Sequence, residues 1–145
     1  MPGILVSIEG LREFWEKLDV EKFRALEARA LEQAGSELLT AIRQATPVRT
    51  GRLAGSWVVS TGKGQFTIGT SVEYAPYVEF GAEPHEIYPR RARALRFEAG
   101  GEVVYARRVM HPGTRPRRFV RDVIYYMRGK ILYVIREVMR EGLKE

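Results

Sequence analysis

Ala45-Thr46-Pro47-Val48-Arg49-Thr50-Gly51-Arg52-Leu53-Ala54-Gly55-Ser56-Trp57 divides the chain into a helical part before it and a strand-forming part after it. Upstream, Phe23, Leu26, Ala30, Ala34, Leu38, Ala41, Ile42 and Ala45 recur at helical spacing. The Ala, Leu and Glu between them favour a helix by propensity, and Asp19 offers a side-chain oxygen as its N-cap. Pro47 stops that helix, because the residue before a proline is pushed out of the helical region. Thr50 to Trp57 predicts one short helical turn. Beyond it, Trp57–Thr61 and Phe66–Thr70 alternate in the strand period, and Gly62-Lys63-Gly64-Gln65 joins them as a hairpin. Trp57, Val59, Phe66 and Ile68 fall on the face predicted to be buried.

Working outward, Ile4–Ile8 predicts a short strand and Leu11–Leu18 a short helix. Tyr74 to Phe80 reads as a short helix, with Tyr74, Tyr77 and Val78 on one face. Phe80 to Arg93 is a long polar loop whose Pro84 and Pro89 forbid an internal strand, and Tyr88-Pro89 marks an extended entry to an arginine-rich segment. Ala94–Phe97 and Val103–Val109 form a second hairpin across Glu98-Ala99-Gly100-Gly101. Pro116 suits the first turn of a last helix. Val120, Val123, Ile124, Met127, Ile131, Val134, Ile135 and Val138 trace its apolar stripe. Tyr125, Tyr126 and Tyr133 widen that surface, either as core or as a subunit contact, tyrosine and arginine being enriched at interfaces. The sum is an α+β fold in a single domain over residues 1–145: an antiparallel sheet of about four strands, with long helices near 20–45 and 116–141 packed on one face.

With 145 residues and no cysteine, the chain buries a core without disulfide staples and offers no thiolate metal site. The absence of cysteine fits an intracellular folding compartment. The longest apolar run, Ile131–Ile135, is far short of the ~20 residues of a membrane span, which predicts no membrane association. Met1–Ile8 has neither a basic region nor a cleavage site, which predicts no signal peptide. The net charge is +6 and unevenly spread. Residues 88–121 hold ten arginines (Arg90, Arg91, Arg93, Arg96, Arg107, Arg108, Arg115, Arg117, Arg118 and Arg121) against Glu98 and Glu102. Such a segment attracts nucleic acid or an acidic protein surface, although arginine exceeds lysine along the whole chain.

Catalytic groupings are not apparent. His85 and His111 are far apart in sequence. Glu79, Glu83, His85 and Glu86 match no metal-ligand spacing. Ser56 lacks a nucleophile elbow and an orienting acid, and Gly62-x-Gly64 lacks the rest of a phosphate loop. The expectation is a protein without catalytic residues, cofactor or metal.

Two further phrases complete a pattern with Pro47–Ser56: Tyr74-Ala75-Pro76-Tyr77-Val78-Glu79-Phe80-Gly81 and Pro112-Gly113-Thr114-Arg115-Pro116. In this order they resemble the tail-component family of tailed bacteriophages, the tail-completion and head–tail joining proteins. The chain departs from the family pattern at Arg49, Ala82 and Arg118. The resemblance implies a structural virion protein, not an enzyme, that joins tail to head or completes the tail within a homo-oligomeric ring. Its partners would be copies of itself and neighbouring neck, connector or tail-tube proteins, with transient contact with phage DNA. It would reside in the virion, and in the host cytoplasm during assembly. Pro47, Gly51, Leu53, Ser56, Trp57, Tyr74, Tyr77, Glu79, Phe80, Gly81, Pro112 and Gly113 would be structural motif residues. Arg90, Arg91, Arg93, Arg115, Arg117 and Arg118 are candidates for partner or subunit contact, facing glutamates such as Glu13, Glu16, Glu21, Glu27, Glu32 and Glu37 of the same or another copy. The alternative is a basic nucleic-acid-binding module in which Tyr88, Phe97 and Tyr105 stack bases between arginines.

Overall fold

The structure, a computed structural model, describes residues 19–144. The expected strand at Ile4–Ile8, the helix at Leu11–Leu18 and the carboxylates of Glu13 and Glu16 lie outside the described residues. The first described helix, α1 (Val20–Ala45), starts and ends where the sequence places it. Asp19 accepts the backbone N–H groups of Glu21 and Lys22, each at 3.0 Å, satisfying donors that have no partner within the helix. At the other end the buried Thr46 donates its hydroxyl to the Ile42 carbonyl at 2.6 Å, and Pro47 follows.

A five-residue helix, α2 (Arg52–Ser56), leads into β1 (Val58–Gly62) and β2 (Gln65–Gly69). Their register pairs Val59 with Ile68 and Gly62 with Gln65. That leaves Lys63 and Gly64 as a two-residue turn, both at positive φ (53° and 72°), the twist that a tight hairpin needs. Val59, Phe66 and Ile68 are half-buried and Trp57 is buried, so the expected inner face is present. Next come α3 (Ala75–Phe80), β3 (His85–Ile87), β4 (Leu95–Ala99), β5 (Glu102–Ala106), β6 (Val109–His111) and α4 (Phe119–Gly142).

The two long helices pack antiparallel. Gly142 lies against Leu26 near one end, Lys130 reaches Glu37 at 2.9 Å in the middle, and Phe119 joins Ile42 in the core at the other end. The hairpin β1–β2 packs on α1. That core holds Ile42, Leu53, Trp57, Val72, Ala75 and Phe119, with the Trp57 and Phe119 rings edge to face at 6.1 Å. On α4, Val134 is buried and Val120, Val123, Met127, Ile131, Ile135 and Val138 are half-buried, but Ile124 is 49% exposed and falls off the expected stripe.

The α+β class and the packed helix pair hold, but the strands form three separate two-stranded antiparallel ladders, β1–β2, β3–β6 and β4–β5. The reason lies at Arg107-Arg108. The expected strand Val103–Val109 breaks there, so β5 pairs with β4 while β6 turns to pair with β3. The segment from Phe80 to Arg93 is therefore not all loop: β3 sits inside it, between Pro84 and Pro89, in a ladder where every strand is an edge. Pro116 likewise stands outside the last helix, which begins at Phe119. The backbone N–H groups of Arg117 and Arg118 bond instead to the carbonyls of Val78 and Glu79. No described helix is long and apolar enough to cross a membrane.

Candidate assembly interface

The three sequence phrases meet in space. Glu79, in the short helix α3, is 7% exposed. Its carboxylate accepts the backbone N–H of Val120 through Oε2 and that of Arg121 through Oε1, each at 3.0 Å. Helix α4 has no local side-chain cap, since Arg118 at its N-cap position is left-handed with φ 53°. A carboxylate brought from 41 residues away does that work and adds a negative charge at the positive end of the helix. Two backbone hydrogen bonds between Ala82 and Thr114, at 3.0 and 2.9 Å, lace the second phrase to the third.

That lace explains two glycines. A Cβ on Gly81 would stand 2.5 Å from the Thr114 carbonyl oxygen, and one on Gly113 would stand 2.2 Å from that of Ala82. Both also hold positive φ, 78° and 82°, a region that side chains disfavour. The Tyr-Val-Glu-Phe-Gly and Pro-Gly-Thr phrases are thus two halves of one backbone contact. In the first phrase Gly51 turns at φ 79°, Leu53 and Trp57 fill the core, and Ser56 Oγ bonds the Leu53 carbonyl and Thr70 Oγ1. Arg43 donates to the Trp57 carbonyl at 2.6 Å. The Trp57 indole N–H is buried without an acceptor among the described residues.

Between the phrases lies an open groove of about 1280 Å³. Pro47, Val48, Leu53, Val78, Tyr74 and Tyr77 give it an apolar and aromatic lining. Arg49, Arg52, Arg115 and Arg117 line it with no carboxylate among the lining residues. Arg52 lies over the Tyr74 ring at 5.9 Å. The family departure at Arg49 thus adds to a wholly cationic rim. Arg118, by contrast, serves the backbone at the start of α4.

Arg90, Arg91 and Arg93 lie elsewhere, on the exposed bends between β3 and β4. They belong to an arm, residues 83–111, in which β4 and β5 make their extensive contacts with each other. Tyr88, Val103, Tyr105 and Met110 are exposed there, at 56%, 48%, 66% and 61%. Tyr88 and Arg108 both reach Glu86, and the hydrogen bond to that carboxylate raises the Tyr88 hydroxyl above its ordinary pKa. The ladder β3–β6 also brings His85 and His111 together as a directly opposed pair, their rings stacked at 5.1 Å. Sequence separation hid this contact; only the strand register reveals it. Each imidazole is tied down locally, His85 Nδ1 lying 2.9 Å from the Glu83 carbonyl and His111 Nδ1 accepting the Gly113 N–H at 3.0 Å. No group of three or more metal-ligating side chains occurs among the described residues.

No curated protein and no solved structure matches the chain. A family model described as "Bacteriophage HK97-gp10, putative tail-component" matches residues 9–81. The match takes in the first two phrases and ends at Gly81, one residue before the lace to the third. With half its length matched, the chain belongs to the HK97-gp10-like family of bacteriophage tail components.

Proposed function

We propose that the protein is a structural virion component that joins tail to head or completes the tail, working as one copy in a homo-oligomeric ring. The observation that carries this reading, beside the family, is arginine charge with no carboxylate partner among the described residues. Of the ten arginines between residues 88 and 121, only Arg108 and Arg121 meet a carboxylate among the described residues. The other eight have no carboxylate within reach among the described residues, and a neighbour's carboxylates would pair with their planar forks. The groove rimmed by Arg49, Arg52, Arg115 and Arg117 seats an acidic segment of a neighbouring copy, or of a neck, connector or tail-tube protein. The arm reaches the next subunit. Its role is mechanical, with no reaction, and its place is the neck or tail of the virion. Nucleic acid is the competing partner, but Arg90, Arg91 and Arg93 lie apart from the groove that Arg115 and Arg117 line, so these cations do not line one phosphate track.

The test is complementation of tails lacking this protein, with light scattering at several concentrations. Wild type is expected to restore head joining and to form a ring of defined mass on the tail. Arg49→Glu/Arg115→Glu/Arg117→Glu is expected to abolish both while leaving the fold intact. Tight duplex binding that falls with salt at a log–log slope near −0.9 per phosphate, and is lost in the same variant, would favour the nucleic-acid reading.

A further inference from the structure

The outer face of α4 carries a second apolar seam, opposite the one that packs on α1. Asp122, Tyr125, Gly129, Leu132 and Arg136 succeed each other at intervals of three, four, three and four residues, the spacing of a helix–helix seam. Tyr126 and Tyr133 flank it. Among the described residues this surface is largely open: Tyr125 is 61% exposed, with Arg128 over its ring at 4.8 Å, Tyr126 80%, Leu132 54% and Tyr133 62%. Gly129 sits at its centre with nothing within 4 Å of where a Cβ would stand. A glycine weakens a helix interior, and no close approach among the described residues requires this one.

The seam is a palindrome about Gly129. Asp122 and Arg136 are each seven residues from it, Tyr125 and Tyr133 each four, Tyr126 and Leu132 each three. In a two-fold antiparallel crossing, residues equally distant on opposite sides meet at the same height. Asp122 of one copy then faces Arg136 of the other, twice, roughly 10 Å from the crossing point at 1.5 Å per residue. Tyrosine faces tyrosine, and tyrosine faces leucine. The missing side chain at the axis lets two helices of bulky neighbours approach closely. Asp122 has only its neighbour Arg121, at 3.5 Å and well exposed, as an ion-pair partner among the described residues.

We propose that two copies of this chain pair through α4, antiparallel and two-fold, with Gly129 on the axis. Such a contact is isologous: it joins two copies and stops, and so cannot itself close a ring. It therefore goes beyond the ring reading and stands without it, as the state of the free chain or as a contact between two assembled rings. At ~150–250 Å² per buried aromatic, the exposed part of these side chains supplies about 1,000 Å² over both copies, the low end for a specific interface. The pairing is accordingly weak and concentration-dependent.

The chain has no cysteine, so a Gly129→Cys variant carries one thiol, placed on the proposed axis where two Cα atoms come within disulfide reach. Under mild oxidation it is expected to convert to a covalent dimer, while Gln44→Cys, exposed on α1, stays mostly monomeric. In sedimentation equilibrium, Asp122→Arg and Arg136→Asp are each expected to weaken self-association by roughly tenfold, since two exposed ion pairs become two repulsions. The double swap restores it. Within one helix the two positions are too far apart to rescue each other. Equal cross-linking at Gly129→Cys and Gln44→Cys, or a double swap that stays as weak as the singles, overturns the proposal.

Discussion

The laced centre of the molecule and the arm use their side chains in opposite ways. In the centre, formed by 47–57, 74–82 and 112–121, the residues that fix the fold are committed inward, Leu53 and Trp57 to the core, Glu79 to the start of α4, Gly81 and Gly113 to backbone contact, while Tyr77 and Phe80 stay exposed. In the arm, tyrosines, valines and arginines stand in solvent with few partners. The motif residues that make the family visible are therefore answers to folding problems. The surface available to a partner is the cationic rim of the groove between the phrases and the exposed arm.

Substitutions test that division. Trp57→Ala removes the largest core side chain and is expected to cost ~3–5 kcal/mol in denaturant unfolding. A loss under ~1 kcal/mol there would dissolve the distinction. Gly113→Ala and Gly81→Ala should each cost roughly 2–3 kcal/mol, through forced positive φ and collision with the facing carbonyl. Comparable tolerance at both would mean that the lace is not needed. Glu79→Ala leaves two N–H groups at the head of α4 without acceptors and should cost about 2 kcal/mol, read as an earlier thermal midpoint with first-turn amides of α4 exchanging faster. The smallest effects belong to the arm. Arg93→Ala and Tyr105→Ala should move the stability of the isolated chain by no more than about 0.5 kcal/mol, yet impair complementation of tails.

What the sequence reveals tracks how local the cause is. The limits of α1 follow from Asp19 and Pro47, each acting within a few residues, and the β1–β2 hairpin follows from Lys63-Gly64. The short helix at Tyr74 also carries a local signal. The start of α4 does not, because its cap comes from Glu79, 41 residues upstream, and no cue near Pro116 records that. The split of the strands at Arg107-Arg108 is equally silent: a run of strand formers says nothing about a change of partner. Among site residues, Arg115 and Arg117 do line a groove, but they share it with Arg49 and Arg52 rather than with Arg90, Arg91 and Arg93. A charge count along the chain cannot sort arginines by the surface they reach.

The hydrogen-bonded pair of Ala82 and Thr114 makes the arm a closed detour. Its two ends are held side by side by the body, so the body's architecture is indifferent to the distance travelled between them. Doubling a flexible excursion between fixed ends adds only about 0.6 kcal/mol of closure entropy. The site is thus a natural port for grafting: residues 83–111 can be shortened to a plain turn, lengthened, or exchanged for a foreign hairpin, with Gly113 and the α4 cap kept. Chains altered in this way would keep one scaffold while changing what they reach.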